Sequence, residues 1–180
     1  MHEKRFQGDV DRLRSPERIE RLSVSRVVEE SLAGVECDSV LDVGTGSGLF
    51  AESFHAMGKR IAGIDANPQM TAAASGHLPD ATFTVATAEA LPFPDESFDL
   101  VFLGLVFHET DEPEQALAES VRVARRRVAI LEWPHRIQDF GPPLEHRVSP
   151  EFLDGLLARA SLPPLRRIEL ENVDLFLIDK

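Results

Sequence analysis

The chain reads as a doubly wound α/β unit: a mostly parallel seven-stranded sheet with a C-terminal antiparallel hairpin and an N-terminal helical cap. Three observations predict it. Short β-branched runs alternate with helical stretches from Ser39 onward, the first run passes straight into a glycine-rich turn, and the last two apolar runs are separated by little more than Asn172. With 180 residues, 43% of them hydrophobic, the chain suffices for one core.

Residues 1–36 are expected to form the cap. Ser15, Pro16 and Glu17 make a helix start, and Ile19, Leu22, Val27, Val28 and Leu32 follow at helical spacing. Residues 37–180 are the main domain of the same globular unit. Its first strand, 40–43, leads to a helix that starts near Gly48, buries Leu49, Phe50, Phe54 and Met57, and stops at Gly58. Residues 60–65 are the second strand; Asn67 then caps a helix whose first turn holds Pro68. Residues 81–86 and 98–104 are the third and fourth strands, the latter apolar on both faces as a central parallel strand requires. Between them, 91–95 is a loop. A helix from about Pro113 turns Leu117, Val121 and Ala124 inward before the fifth strand, 128–132. Ser149 and Pro150 repeat the cap-then-proline device for a last helix striped with Phe152, Leu153, Leu156, Leu157 and Ala160, ended by Pro163 and Pro164. Residues 165–171 and 173–178 form the hairpin.

Composition excludes several classes. Lys and Arg number 19 against 31 Asp and Glu, a net charge of −12 that repels phosphate backbones, so nucleic acid is not an expected partner. The one basic run, Arg125, Arg126 and Arg127, reads as cations closing a helix C-terminus. No apolar run approaches the roughly 18 residues of a membrane span, and the first 18 residues mix both charge signs without a signal-like apolar core, which predicts a cytoplasmic protein. Cys37 is alone, so neither an internal disulfide nor a thiolate cluster is possible. His108, Glu109 and His146 lack metal-site spacing and come from separate loops; no metal is expected.

Ligands of an open parallel sheet bind beyond the strands' carboxyl ends. Three segments fall there: Asp42 and the turn Gly44, Thr45, Gly46, Ser47, Gly48; Asp65; and Thr87, Ala88 and Glu89. Glycines let the backbone approach a ligand, and a carboxylate one strand over suits vicinal ribose hydroxyls. The spacing, with Leu49 after glycines at 44, 46 and 48, departs from GxGxxG and argues against NAD. Asp42 suits an ammonium-bearing ligand better than a pyrophosphate.

These segments, VLDVGTGSG, GIDANPQM and AEALPFPDESFDLVF, resemble the successive motifs of class I S-adenosylmethionine-dependent methyltransferases of the type-11, ubiquinone-biosynthesis-like group, which have a Rossmann-like fold. The likeness covers roughly residues 39–178. It implies that Gly44 to Gly48 cradle the methionine part of the cofactor, that Asp65 holds the ribose, that Ala66 and Met70 flank the adenine, and that Leu103 joins the cofactor site. Thr87 stands where the family commonly has an Asp for the adenine amino group, which implies weaker adenine recognition; Ala88 and Glu89 are neighbouring candidates. The family's Lys-Pro-Gly-Gly turn before the fifth strand is absent, and residues 141–150 are expected to overhang the methyl donor.

The implied activity is direct methyl transfer to a small-molecule acceptor, for which alignment and exclusion of water matter more than a dedicated base. Candidate polar groups are His108, Glu132 and His146, with Glu109, Trp133, His135 and Glu145 near them; His55 and His77 read as surface residues. The competing reading is a noncatalytic adenosine-cofactor-binding module or sensor.

Overall fold

The computed structural model describes residues 11–180. After a short 3₁₀ turn (Asp11–Arg14) come α1 (Pro16–Arg21), α2 (Val24–Leu32), β1 (Ser39–Val43), α3 (Leu49–Ala56), β2 (Arg60–Asp65), α4 (Pro68–His77), β3 (Thr82–Val85), β4 (Phe98–Gly104), α5 (Pro113–Val123), β5 (Ala124–Glu132), α6 (Pro150–Arg159), β6 (Arg166–Glu169) and β7 (Asp174–Asp179). The seven strands form one sheet in the order β3-β2-β1-β4-β5-β7-β6. The first five are mutually parallel, and β7 runs antiparallel to both β5 and β6. Strand order reverses between β1 and β4, which opens a crevice at their carboxyl ends.

Period-two alternation divides the core. Leu41, Val43, Val101, Leu103, Val128 and Ile130 face α5 and α6 through Leu117, Val123, Leu153, Leu156 and Leu157. Val40, Leu100, Phe102, Ala129 and Leu131 face α2 and α3 through Val27, Val28, Phe50 and Phe54. Phe102 anchors this second layer, its ring 4.9 Å from Phe50 and 5.2 Å from Phe54. The segment expected as a cap thus places α2 in the same layer as α3; the part of it before Asp11 lies outside the described residues.

The helix starts follow their residues. Ser15, Asn67 and Ser149 each accept a backbone N–H in the first turn of α1, α4 and α6, and each is followed by proline. Four expectations need correction. Arg125, Arg126 and Arg127 lie within β5, which begins four residues early because α5 passes into it directly; they form ion pairs instead of closing a helix. Arg127 is buried, bonded to Asp179 and to the Ser31 and Ala33 carbonyls at the end of α2. Met57 is 52% exposed at the end of α3, where the helix has already turned off the sheet. Phe152 and Ala160 are also exposed, at the rims of the α6 stripe.

No helix among the described residues is long and apolar enough to cross a membrane.

Candidate active site

Helix and strand ends surround a crevice of about 1340 Å³. Its floor is the turn after β1. Gly44 and Gly46 take positive φ (69° and 54°), and a Cβ on Gly44 would lie 2.5 Å from a Val106 methyl, so only glycine lets this turn pass under the β4 loop. Thr45 donates its N–H to the Ile64 carbonyl (2.8 Å), and Gly46 donates to Asp65 Oδ2 (2.9 Å), binding the turn to β2. The roof comes from the N-terminus: Arg14 donates to the Ser47 carbonyl and pairs with Glu52, and Leu13 packs toward Gly46.

Two carboxylates sit beside the turn. Asp42 is 1% exposed; its Oδ2 accepts the Thr45 hydroxyl (2.7 Å) and the Ala51 N–H (3.2 Å), and burial pushes its carboxyl up to about 7. Asp65 accepts Gly46 N–H on one oxygen and Asn67 N–H (2.8 Å) on the other, and burial outweighs both bonds to raise its pKa. A carboxylate offers about four lone-pair sites, so Asp65 retains acceptor capacity for two further donors.

Across the crevice, Leu105 follows β4 with a φ of 59°, a strained conformation for a branched residue, held by its N–H bond to the Leu131 carbonyl (2.8 Å). The chain then turns through Phe107–Glu109, where His108 Nδ1 meets Glu132 Oε2 at 2.8 Å. Glu132, fully buried at the end of β5, also accepts the backbone N–H groups of His108 (3.0 Å) and Trp133 (3.3 Å). Burial disfavours the imidazolium, but the charge and hydrogen bond of Glu132, with Glu109 nearby, together raise the His108 pKa above its ordinary value. With Nδ1 committed to Glu132 and Nε2 3.8 Å from Glu109 Oε1, Nε2 is the ring atom with the looser contact and the one placed to exchange a proton.

Of the residues singled out in the sequence, Asp42, Gly44, Thr45, Gly46, Ser47, Asp65, Ala66, Met70, Thr87, Ala88, Glu89, His108, Glu109 and Trp133 line the crevice. Glu89 also accepts the Asp111 N–H (3.0 Å). Gly48, Leu103, Glu132 and His146 do not line it. Gly48 instead lets α3 approach α4, since its Cβ would lie 3.2 Å from that of Ala74. Leu103 is fully buried between β1 and β5, Glu132 lies beneath His108, and His146 sits in the separate 3₁₀ turn Leu144–His146. Of residues 141–150, expected to overhang the methyl donor, only Gly141 and Pro142 line the crevice; Asp139 and Phe140 just before them complete that wall, and the rest of the segment turns away from it. Arg147 organises the loop, a buried guanidinium donating to the carbonyls of Pro134, Arg136, Phe140 and Pro142 and to the Gln138 side chain.

Sequence reasoning missed Arg147 and the lining residues Arg12, Arg18, Arg21, Leu105 and Phe140. The arginines carried no signal, because a polar helix face over a strand end looks identical in sequence to one facing water.

A methyltransferase-domain family model matches residues 41–131, half of the chain, and runs from the strand carrying Asp42 to the strand that ends in Glu132. The chain belongs to the class I, type-11 methyltransferase family. This methyltransferase domain is 33% identical over 119 residues to a demethylmenaquinone methyltransferase from Renibacterium salmoninarum, covering 65% of this chain and 49% of that one. An uncharacterized methyltransferase from Mycolicibacterium vanbaalenii is 36% identical over 115 residues, 62% of this chain and 44% of the relative. The chain therefore spans about half the length of the curated relatives it matches. A solved S-adenosylmethionine-dependent methyltransferase from Aquifex aeolicus superposes with a TM-score of 0.83 at 27% identity, over 94% of this chain and 96% of that one. The magnesium protoporphyrin IX methyltransferase of Synechocystis, solved with bound S-adenosylmethionine, shares the fold with a TM-score of 0.70 at 16% identity, over 99% and 88% of the two chains. The family's cofactor is S-adenosylmethionine.

Proposed function

We propose that the protein transfers a methyl group from S-adenosylmethionine to a small-molecule acceptor held between the 139–142 loop and His108. The observation that carries this reading is the pairing of the Gly44–Ser47 turn with the Asp65 carboxylate. The turn is a backbone cradle with no side chain on its glycines, and the carboxylate has acceptor sites to spare. The residues fit the cofactor at a third point, since the buried Ser47 hydroxyl has no hydrogen-bond partner among the described residues and buried polar groups are rarely left so.

In this reading Gly44 to Ser47 meet the amino-acid tail, Asp42 faces its ammonium group, and Asp65 accepts from the ribose hydroxyls. Ala66 and Met70 flank the adenine, with Thr87, Ala88 and Glu89 at its edge. Bound there, S-adenosylmethionine supplies an electrophilic methyl group on a sulfonium. The chain's own residues align the acceptor and keep water out through the walls of Leu105, Trp133 and Phe140. Nε2 of His108 takes or orients the acceptor proton, and Glu132 positions the ring and stabilises its charged form.

The demethylmenaquinone methyltransferase relatives make hydroxylated quinol precursors the first acceptors to try. A coupled S-adenosylhomocysteine release assay across quinols, phenols and thiols tests the proposal. Turnover with one of them, reduced by about 10²-fold or more in His108→Asn, is expected. A protein that binds S-adenosylhomocysteine but releases none with any acceptor supports the noncatalytic reading instead.

A further inference from the structure

The crevice wall formed by residues 12–21 carries an electrostatic feature that methyl transfer alone does not explain. Arg12, Arg18 and Arg21 all line it, on a chain whose net charge is −12. Arg18 is partly buried and feels the charge of both others. Burial, then Arg12 and Arg21, push its pKa down, and the opposing pull of Glu109 is the weakest of the four effects. Arg21 is fixed in place over the Phe140 ring, 4.7 Å from its centroid.

Glu17, Glu109 and Asp139 line the same crevice, but among the described residues no ion pair joins a carboxylate to any of these three guanidiniums. Arg14, one turn away, is by contrast already spent on Glu52 and the Ser47 carbonyl. Guanidiniums gathered at a cavity repel one another and lose hydration, and an entering anion that bonds their forks relieves both. The neighbouring walls are apolar and partly aromatic: Leu105, Val106, Trp133 and Phe140.

We propose that Arg12, Arg18 and Arg21 form an anion subsite that seats a carboxylate of the methyl acceptor, making the acceptor a small aromatic or conjugated carboxylic acid. This rests on the methyltransferase reading, because it assigns the space beside the cofactor to the acceptor. The planar body lies against Phe140 and Trp133, and the carboxylate accepts charge-assisted hydrogen bonds from the guanidinium forks. The cofactor's own amino-acid tail is a second source of a carboxylate. Arg14, and not the trio, is bonded to the glycine turn where that tail is expected.

The test is calorimetric titration of 2-naphthoate and its neutral isostere 2-naphthamide into the protein, alone and saturated with S-adenosylhomocysteine. It is repeated on Arg18→Gln and Arg12→Gln, whose folding is checked by thermal melts. The wild type is expected to bind naphthoate and not naphthamide. Each variant should lose naphthoate affinity by about tenfold or more while S-adenosylhomocysteine affinity stays within about twofold. Equal binding of acid and amide, or no binding of naphthoate to a protein that binds S-adenosylhomocysteine, overturns the subsite and leaves the methyltransferase reading standing. Loss of S-adenosylhomocysteine affinity in Arg18→Gln also overturns it, because the carboxylate seated there is then the cofactor's own. If the wild type fails to bind S-adenosylhomocysteine, the methyltransferase reading falls, and the naphthoate titration on the protein alone still decides the subsite.

Discussion

The two ends of the same sheet treat the same residue type in opposite ways. At the amino end, Asp99 on β4 accepts the backbone N–H groups of Asp38 and Ser39 and the Ser39 hydroxyl, and pairs with Arg125 at 2.5 Å. Burial opposes its ionisation, but these bonds together win and hold its carboxyl at about 2. At the carboxyl end, Asp42 lies deeper still, has two hydrogen-bond donors and no arginine, and burial pushes its carboxyl up to about 7. Asp65 moves in the same direction for the same reason. One end of the sheet is electrostatically complete and serves stability. The other keeps buried carboxylates short of cations and glycines short of side chains, the condition of a site that a ligand completes.

Breaking the complete end gives the largest effect. Asp99→Ala should lower stability by about 3 kcal/mol at pH 7 while leaving S-adenosylhomocysteine affinity of the folded protein unchanged. Urea unfolding with calorimetry measures both. A depressed carboxylate stabilises the fold above its unfolded pKa near 3.8 and ceases to do so as pH falls through about 2, so the difference between variant and wild type should shrink across that window. Asp65→Ala reverses the pattern. Stability should change by less than about 1 kcal/mol, and the dissociation constant for S-adenosylhomocysteine should rise about ten- to a hundredfold.

Asp42→Asn sharpens the contrast. A raised carboxylate favours the fold fully below pH 3.8, and that contribution is lost as pH rises through about 7. The variant should therefore be more stable than wild type at pH 8 by about 1–2 kcal/mol, show no such gain at pH 4, and bind the ammonium-bearing cofactor less tightly. Thermal melts at the two pH values read the gain. The smallest effect is expected from Glu132→Gln, which removes the charge that raises His108. The His108 resonance should titrate at lower pH in the variant by NMR. In the wild type, the stabilisation from the His108 imidazolium is full below about 6.5 and is lost as pH rises through its higher folded value.

The sequence made one half of this comparison legible and hid the other. The glycine turn, Asp65 and the cap-then-proline starts at Asn67 and Ser149 are local devices, each complete within a few residues; both caps form where expected, and Asp65 and Gly44 to Ser47 line the crevice. So was the hairpin of β6 and β7, announced by two apolar runs around a short turn. Pairs far apart along the chain escaped. Asp99 reaches Ser39 and Arg125, and Arg127 reaches the end of α2, so nothing near the basic run signals that it lies inside a strand. His108 and Glu132 were separate candidates whose union depends on β4 and β5 being neighbours in register. Leu103 and Gly48 were placed by motif position, and there the packing of β1 and of α4 against them decides their surroundings.

The most direct measurement is a crystal structure of the protein grown with S-adenosylhomocysteine. The ribose hydroxyl oxygens should lie about 3 Å from the Asp65 carboxylate, with the amino-acid tail over Gly44 to Ser47. A ligand seated elsewhere, with Asp65 bonded only to Gly46 and Asn67, would contradict the assignment of this sheet end to the cofactor.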